Sequence, residues 1–123
     1  MRLLLDTHVV IWAITTPRKL SCEAQRYMER AEAIYVSAVS IFEIAVKESS
    51  RKLDVKIDEM LDGVAAANAI ELPITWAHAR RAYDIGHPDP FDRLLIAQAE
   101  IEPLYLLTVD DKLAGFSRMV VTV

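Results

Sequence analysis

Four carboxylates stand where chemistry is expected of them. Asp6 ends the short apolar run Leu3-Leu4-Leu5, and Asp110 follows the run 104–109 with Thr108 beside it. Glu43 falls in the second turn of a helical pattern that leaves the run 33–36, and Asp92 in the first turn of the helical pattern leading into 104–109. In open α/β sheets ligands bind outside the carboxyl ends of the strands, so these positions direct four acids into one crevice. Two like charges 5 Å apart repel by roughly 3 kcal/mol at an effective dielectric of about 20, so such a cluster is costly without a cation. Hard divalent ions with oxygen preference, Mg²⁺ or Mn²⁺, remove that cost, and Mg²⁺ keeps several of its waters.

Each acid also has an ordinary structural reading. Asp6 is the hardest to place outside a site, because it stands directly behind a run of leucines. Glu43 has Lys47 one helical turn on and can form an i,i+4 ion pair with it. Asp89 has the position of a helix N-cap with Pro90 after it, and Asp92 that of a carboxylate facing free N–H groups at a helix start. Asp110 or Asp111 can cap a short helix containing Lys112 and Leu113. The argument rests on the coincidence of all four. His8, His78 and His87 have no spacing that unites two of them as an acid–base pair, and read as surface or capping residues. Neither a GxxxxGK[ST] phosphate loop, nor a GxSxG turn, nor an HExxH pair occurs.

The elements that must carry these acids follow from periodicity. Runs at 2–5, 33–36, 70–72, 104–109 and 119–123 read as buried strands. Helical patterns start at Ser21, with Ala24, Tyr27, Met28 and Ala31 on one face, and after Ser37, ending near Lys52. Further helices are expected over 57–69, 75–85 and from the Asp89 cap to Glu102, with Pro73 and Pro103 as breaks. Alternation of strands and helices implies crossover connections, hence a three-layer α/β/α sandwich with a mainly parallel central sheet.

Bulk properties agree. The chain of 123 residues reads as a single domain over 1–123, with 53% hydrophobic and 26% charged residues. It shows no leader and no apolar run of about 18 residues, so a cytoplasmic protein without membrane contact is expected. The lone Cys22 excludes an internal disulfide and reads as a buried small residue at a helix start. The net charge of −4 opposes nucleic-acid binding only superficially, since setting aside the four clustered acids leaves 14 of 18, equal to the 14 Lys plus Arg.

The stretch Leu3-Leu4-Leu5-Asp6-Thr7-His8, the stretch Val36-Ser37-Ala38-Val39-Ser40 leading to Glu43-Ile44-Ala45 with Lys47, the run Asp89-Pro90-Phe91-Asp92-Arg93-Leu94-Leu95-Ile96-Ala97-Gln98-Ala99, and Leu106-Leu107-Thr108-Val109-Asp110 resemble the hallmark blocks of PIN-domain proteins, in order and over nearly the whole chain. The resemblance is greatest to the VapC-type toxins of type II toxin–antitoxin pairs. It implies metal-dependent endonucleolytic cleavage of RNA, often tRNA or rRNA, with Asp6, Glu43, Asp92 and Asp110 as acidic metal ligands for Mg²⁺ or Mn²⁺. Asp110 holds the family's place two residues after the threonine, which prefers it to Asp111. As partners the resemblance implies an RNA substrate, a small protein antitoxin seated around Trp12 or 57–61, and a homodimer. Phe42 departs from a frequent Trp, and Arg51-Lys52-Leu53 from a commoner Gly-Lys-Leu. Lys47, Arg51, Lys52 and Arg93 are candidate phosphate contacts, or simply solvated helix charges.

Other classes fit less well. A Mg²⁺-binding receiver-like signalling domain wants paired acids after the first strand and a lysine after the last, and an aspartyl phosphatase wants an acid at position 8, where His stands. A PIN-type nuclease with a housekeeping role in RNA processing has the same site as a toxin.

Overall fold

The structure, a computed structural model, describes residues 1–123. Five strands, β1 (Arg2–Leu5), β2 (Ala33–Ser37), β3 (Ile70–Leu72), β4 (Tyr105–Thr108) and β5 (Val120–Thr122), form one sheet in the order β3-β2-β1-β4-β5. Every pairing is parallel, with Leu4 opposite Tyr35 on one side and Leu106 on the other. The sheet is therefore wholly, not only mainly, parallel.

Because β1 is central, it is covered on both faces, which is why three successive leucines suit it. Alternation sends Leu3 and Leu5 to one side and Leu4 to the other. Leu3 and Leu5 join Val9, Val10, Ile11, Ala24, Ile44 and Met60, carried by α1 (Thr7–Thr15), α2 (Cys22–Arg30), α3 (Ala38–Ser49) and α4 (Ile57–Ala66). Leu4 joins Val39, Ala82, Leu95, Ile96 and Ala99 from α3, α5 (Trp76–Tyr83) and α6 (Pro90–Ile101). The three-layer sandwich expected from the alternation is thus formed, with α3 contributing to both layers.

Helix starts are capped as their residues dictate. Ser21 accepts from Ala24 N–H at 3.0 Å, and Ser37 from Val39 N–H at 2.9 Å. At α5, Thr75 accepts from His78 N–H while His78 Nδ1 accepts from Thr75 N–H, so His78 completes a capping box. Its Nε2 lies 2.7 Å from Glu102 Oε2, which satisfies a ring that is wholly buried. Gln98, also wholly buried, accepts from Ser37 Oγ at 2.6 Å and donates to Pro73 O at 3.2 Å, tying α6 to the start of α3.

The expectations need four corrections. Helix α1 was not foreseen, because Thr7–Ile14 is apolar nearly all round and shows no polar face to set a period. Helices α3 and α4 end at Ser49 and Ala66, earlier than the expected 52 and 69; just beyond them Arg51 and Asn68 take φ of 60° and 57°, a left-handed conformation that a helix cannot continue through. Cys22 is exposed rather than buried, since α2 turns Ala24 to the core instead. No helix is long and apolar enough to cross a membrane.

Candidate active site

The strand order places a topological switch between β1 and β4: from β1 the chain proceeds to β2 and β3 on one side, then returns to β4 and β5 on the other. Asp6 and Thr108 stand at the carboxyl ends of these two strands, where a crevice opens. Asp6 is the N-cap of α1, its Oδ1 accepting Thr7 N–H at 2.8 Å, and its own N–H donates to Leu107 O at 2.9 Å. Thr108 Oγ1 donates to Asp6 Oδ2 at 2.6 Å. Both Asp6 oxygens are thus oriented by neighbours, and the residue is only 5% exposed. Burial pushes its carboxyl above the ordinary value of 3.8; the two hydrogen bonds and the charge of His8 pull it back, while Glu43 adds to the rise.

Glu43 enters from α3 and is equally buried. Thr7 Oγ1 donates to its Oε1 at 2.6 Å, and Thr7 itself stands 3.0 Å from Ser40 Oγ. Lys47 Nζ holds Oε2 at 2.6 Å, so the ordinary i,i+4 pairing is realised inside the candidate site. That hydrogen bond is the main cause of a raised Lys47 pKa, with the charges of Glu43, Asp89 and Asp92 behind it. Lys47 is therefore the cation facing the acid pocket. Arg93 instead donates from Nε to His87 O and holds a loop.

Asp92 lies in the first turn of α6, whose N-cap is Asp89 and whose first residue is Pro90, as expected. Asp89 Oδ1 accepts from Phe91 N–H at 2.8 Å and Asp92 N–H at 3.3 Å. The Asp92 carboxyl is pushed up to about 7, first by burial and then by the charges of Asp6, Asp89, Glu43 and Asp110. One side chain thus feels all three other predicted acids and a fifth, Asp89. Asp110 is half-buried and caps the 3₁₀ turn Asp111–Phe116, accepting Lys112 N–H at 3.0 Å; its own N–H donates to Thr108 Oγ1 at 3.0 Å. Asp111 is exposed, and it is Asp110 whose charge acts on Asp92.

A residue that sequence reasoning did not place here is His87. Its Nδ1 accepts Asp89 N–H at 3.0 Å, which leaves the proton on Nε2, 3.7 Å from Asp92 Oδ2. Its ring meets Phe116 edge-on at 4.9 Å between centroids. The only signal in the sequence was its place two residues before the Asp89 cap.

The donor set fits a hydrated hard cation. The pocket holds oxygen donors and more negative charge than Lys47 balances, which together with burial pushes the Asp92 carboxyl up to about 7. No three His, Cys, Asp or Glu side chains are gathered into a ready-made ion cage. A cation held here would take one or two carboxylates directly and keep water in its remaining positions.

Comparisons with known proteins bear on the whole chain. The family pattern described as PIN domain matches residues 3–119. Ribonuclease VapC22 of Mycobacterium tuberculosis (strain ATCC 25618 / H37Rv) is 32% identical over 124 residues, covering 89% of this chain and 88% of that protein. Among solved structures, VapBC2 from Rickettsia felis, bound to a DNA fragment from its promoter, superposes with a TM-score of 0.70 at 14% identity over 98% of this chain and 96% of that one. A toxin–antitoxin complex from Klebsiella pneumoniae gives 0.69 at 20% identity with the same coverage. FitAcB from Neisseria gonorrhoeae gives 0.67 at 20% identity, over 100% and 97%. At these identities the structural likenesses speak for the fold.

Proposed function

The chain belongs to the PIN-domain family, and from that premise we propose that it is a divalent-metal-dependent endoribonuclease, cutting tRNA or rRNA, that serves as the toxin of a toxin–antitoxin pair. The observation that carries this reading is Asp92, a carboxyl raised to about 7 by burial and by four surrounding acids at the switch point of the sheet.

In this reading Asp6 and Asp92 hold Mg²⁺ or Mn²⁺, Glu43 holds a second ion or orients water, and Asp110 completes the cluster. The cation supplies neutralisation of phosphate charge and a more acidic water. The chain's own residues do the rest. Thr108 and Thr7 fix the Asp6 carboxylate, so its free lone pairs keep one direction. Thr7 and Lys47 each occupy one Glu43 oxygen, leaving a lone pair on each to accept a proton or orient water. Lys47 also offsets repulsion between the pocket and an incoming phosphate.

An apolar groove of about 510 Å³ between α3 and α4, lined in part by Ile41, Phe42, Leu61 and Val64, supports a small antitoxin as partner, with Leu61 inside the stretch expected for it. Phe42 is 61% exposed there, an apolar ring that a partner would cover. A homodimer belongs to the same reading.

The test is cleavage of a mixed tRNA and rRNA pool by partner-free protein, with Mg²⁺ or Mn²⁺ against excess EDTA. Discrete 5′-phosphate fragments that vanish with EDTA and with Asp6→Asn are expected. Cleavage that survives both, leaving cyclic phosphate, would overturn the metal reading.

A further inference from the structure

The two sides of the acid pocket are neutralised unequally. Of the ion pairs in the chain, Lys47 with Glu43 is the one that joins a Lys or Arg to a pocket acid, whereas Arg80 and Arg81 pair elsewhere with Asp84 and Glu100. The two partners lie one turn apart on α3, with Nζ 2.6 Å from Oε2. An i,i+4 pair on an open surface is loose and contributes little, but Glu43 is only 5% exposed and its other oxygen accepts Thr7 Oγ1 at 2.6 Å. The charges of Asp89 and Asp92 act on the same ammonium, so it faces the crevice. The Lys47 side chain is 31% exposed, and its one contact uses one of three N–H donors. Asp6 and Asp92 have no such partner: Asp6 is held by Thr7 N–H and Thr108 Oγ1, and Asp92 has the His87 ring 3.7 Å away.

Sites with two metal ions hold them about 4 Å apart, as a clamp on the attacking and leaving oxygens of the phosphate. In this pocket a cation already stands on Glu43, where a second ion would need that carboxylate. We propose that Lys47 is the built-in second cation of the site: the pocket takes one divalent ion, at Asp6 and Asp92, and the ammonium held on Glu43 fills the place of the other. A second divalent ion on Glu43 would have to share Oε2 with the ammonium, and like charges at that spacing repel. Two N–H groups of Lys47 remain for a non-bridging oxygen of the scissile phosphate. The inference rests on the proposed nuclease reading and decides the choice it leaves for Glu43, which orients Lys47 and water and holds no metal.

Titration of the partner-free chain with Mn²⁺ at mildly alkaline pH, read by the paramagnetic signal of the free ion, counts the sites without reference to cleavage. The parent is expected to bind one ion per chain, a count that needs no variant. Lys47→Met keeps the stem and removes the ammonium, and is expected to bind two, with the exchange-coupled signal of an ion pair. Lys47→Arg, which keeps the charge, should stay at one. With one ion bound, RNA cleavage by Lys47→Met should be roughly hundredfold below the parent, as for loss of one donor to a reacting phosphoryl group, and should recover as the second ion binds. Two ions on a parent chain that cleaves RNA, or a folded Lys47→Met that still binds only one, overturns the assignment of Lys47 alone. A parent chain that binds no Mn²⁺ and cleaves no RNA overturns the nuclease reading and this inference together.

Discussion

The hydroxyl of Thr108 donates to Oδ2 of Asp6 at 2.6 Å, joining two strand ends that lie 102 positions apart in the chain. The same oxygen accepts Asp110 N–H, so one hydroxyl arranges two of the acids. Thr108→Val preserves shape and removes both interactions inside a buried pocket. Leaving those groups unpaired costs about 1–3 kcal/mol, which urea unfolding should read as a lower midpoint at unchanged slope. Cleavage should fall at least roughly tenfold, as expected when a charge-assisted hydrogen bond that fixes a reacting group is lost. Thr108→Ser, which keeps the hydroxyl, should recover most of both.

Away from the chemistry, Gly63 of α4 is held by its neighbour rather than by its backbone. A Cβ there would lie 2.6 Å from Cγ2 of Ile14, a methyl on a branched β-carbon with little freedom to retreat. Alanine normally favours a helix interior by about 1 kcal/mol over glycine. Here Gly63→Ala should instead destabilise by about 1–3 kcal/mol, because α1 and α4 must separate. In a double-mutant cycle, adding Gly63→Ala to Ile14→Ala should cost little; additive losses would show that Ile14 is not the obstacle.

The sheet and the acids were legible from the sequence for one reason: β1 and β4 are buried on both faces, so they read as uninterrupted apolar runs, and the polar residue ending each marks the carboxyl edge. The Asp89-Pro90 start of α6 was legible because cap chemistry is local. Helix α1 was not, since a helix apolar on nearly every side has no period to detect. His87 was missed because its approach to Asp92 depends on how the loop between α5 and α6 folds back, held by Arg93 at the His87 carbonyl and by Phe116 from the far end of the chain. The dual nature of Glu43 was seen only as a choice, whereas the structure makes it both ion-paired and part of the acid pocket.

His87 sets a third prediction. Its Nδ1 is occupied by Asp89 N–H, so its Nε2–H faces Asp92 and steadies the carboxylate when charged. Partners that orient metal ligands typically contribute 10–100-fold to affinity or activity. His87→Phe keeps the ring against Phe116 but has no nitrogen, and should lose roughly tenfold in Mn²⁺ affinity, read by the paramagnetic signal of the free ion. His87→Gln, which restores an N–H donor, should recover part of it. Equal affinity in all three proteins would make His87 a loop residue only.

Asp92 determines how stability responds to pH and to metal. Its folded pKa of about 7 lies above the ordinary 3.8, so between these values the native chain holds a proton that the unfolded chain has released. Stability from this group is complete below pH of about 4 and is lost as pH rises through about 7, an upper figure of about 4 kcal/mol. Asp6, raised in the same direction, adds to the slope. In EDTA the thermal midpoint should therefore fall from pH of about 5 to pH of about 8, a change linked to the proton on Asp92. Asp92→Asn should flatten most of that fall and leave the metal-free protein more stable than the parent at the alkaline end, while abolishing cleavage. On the proposed reading Mg²⁺ would bind the ionised pocket, and so should raise the parent's midpoint chiefly above neutrality, by mass action, and the variant's far less. A midpoint in EDTA that does not fall over this range would mean that Asp92 is already ionised in the folded chain, and the electrostatic case for a cation in this crevice would lose its main support.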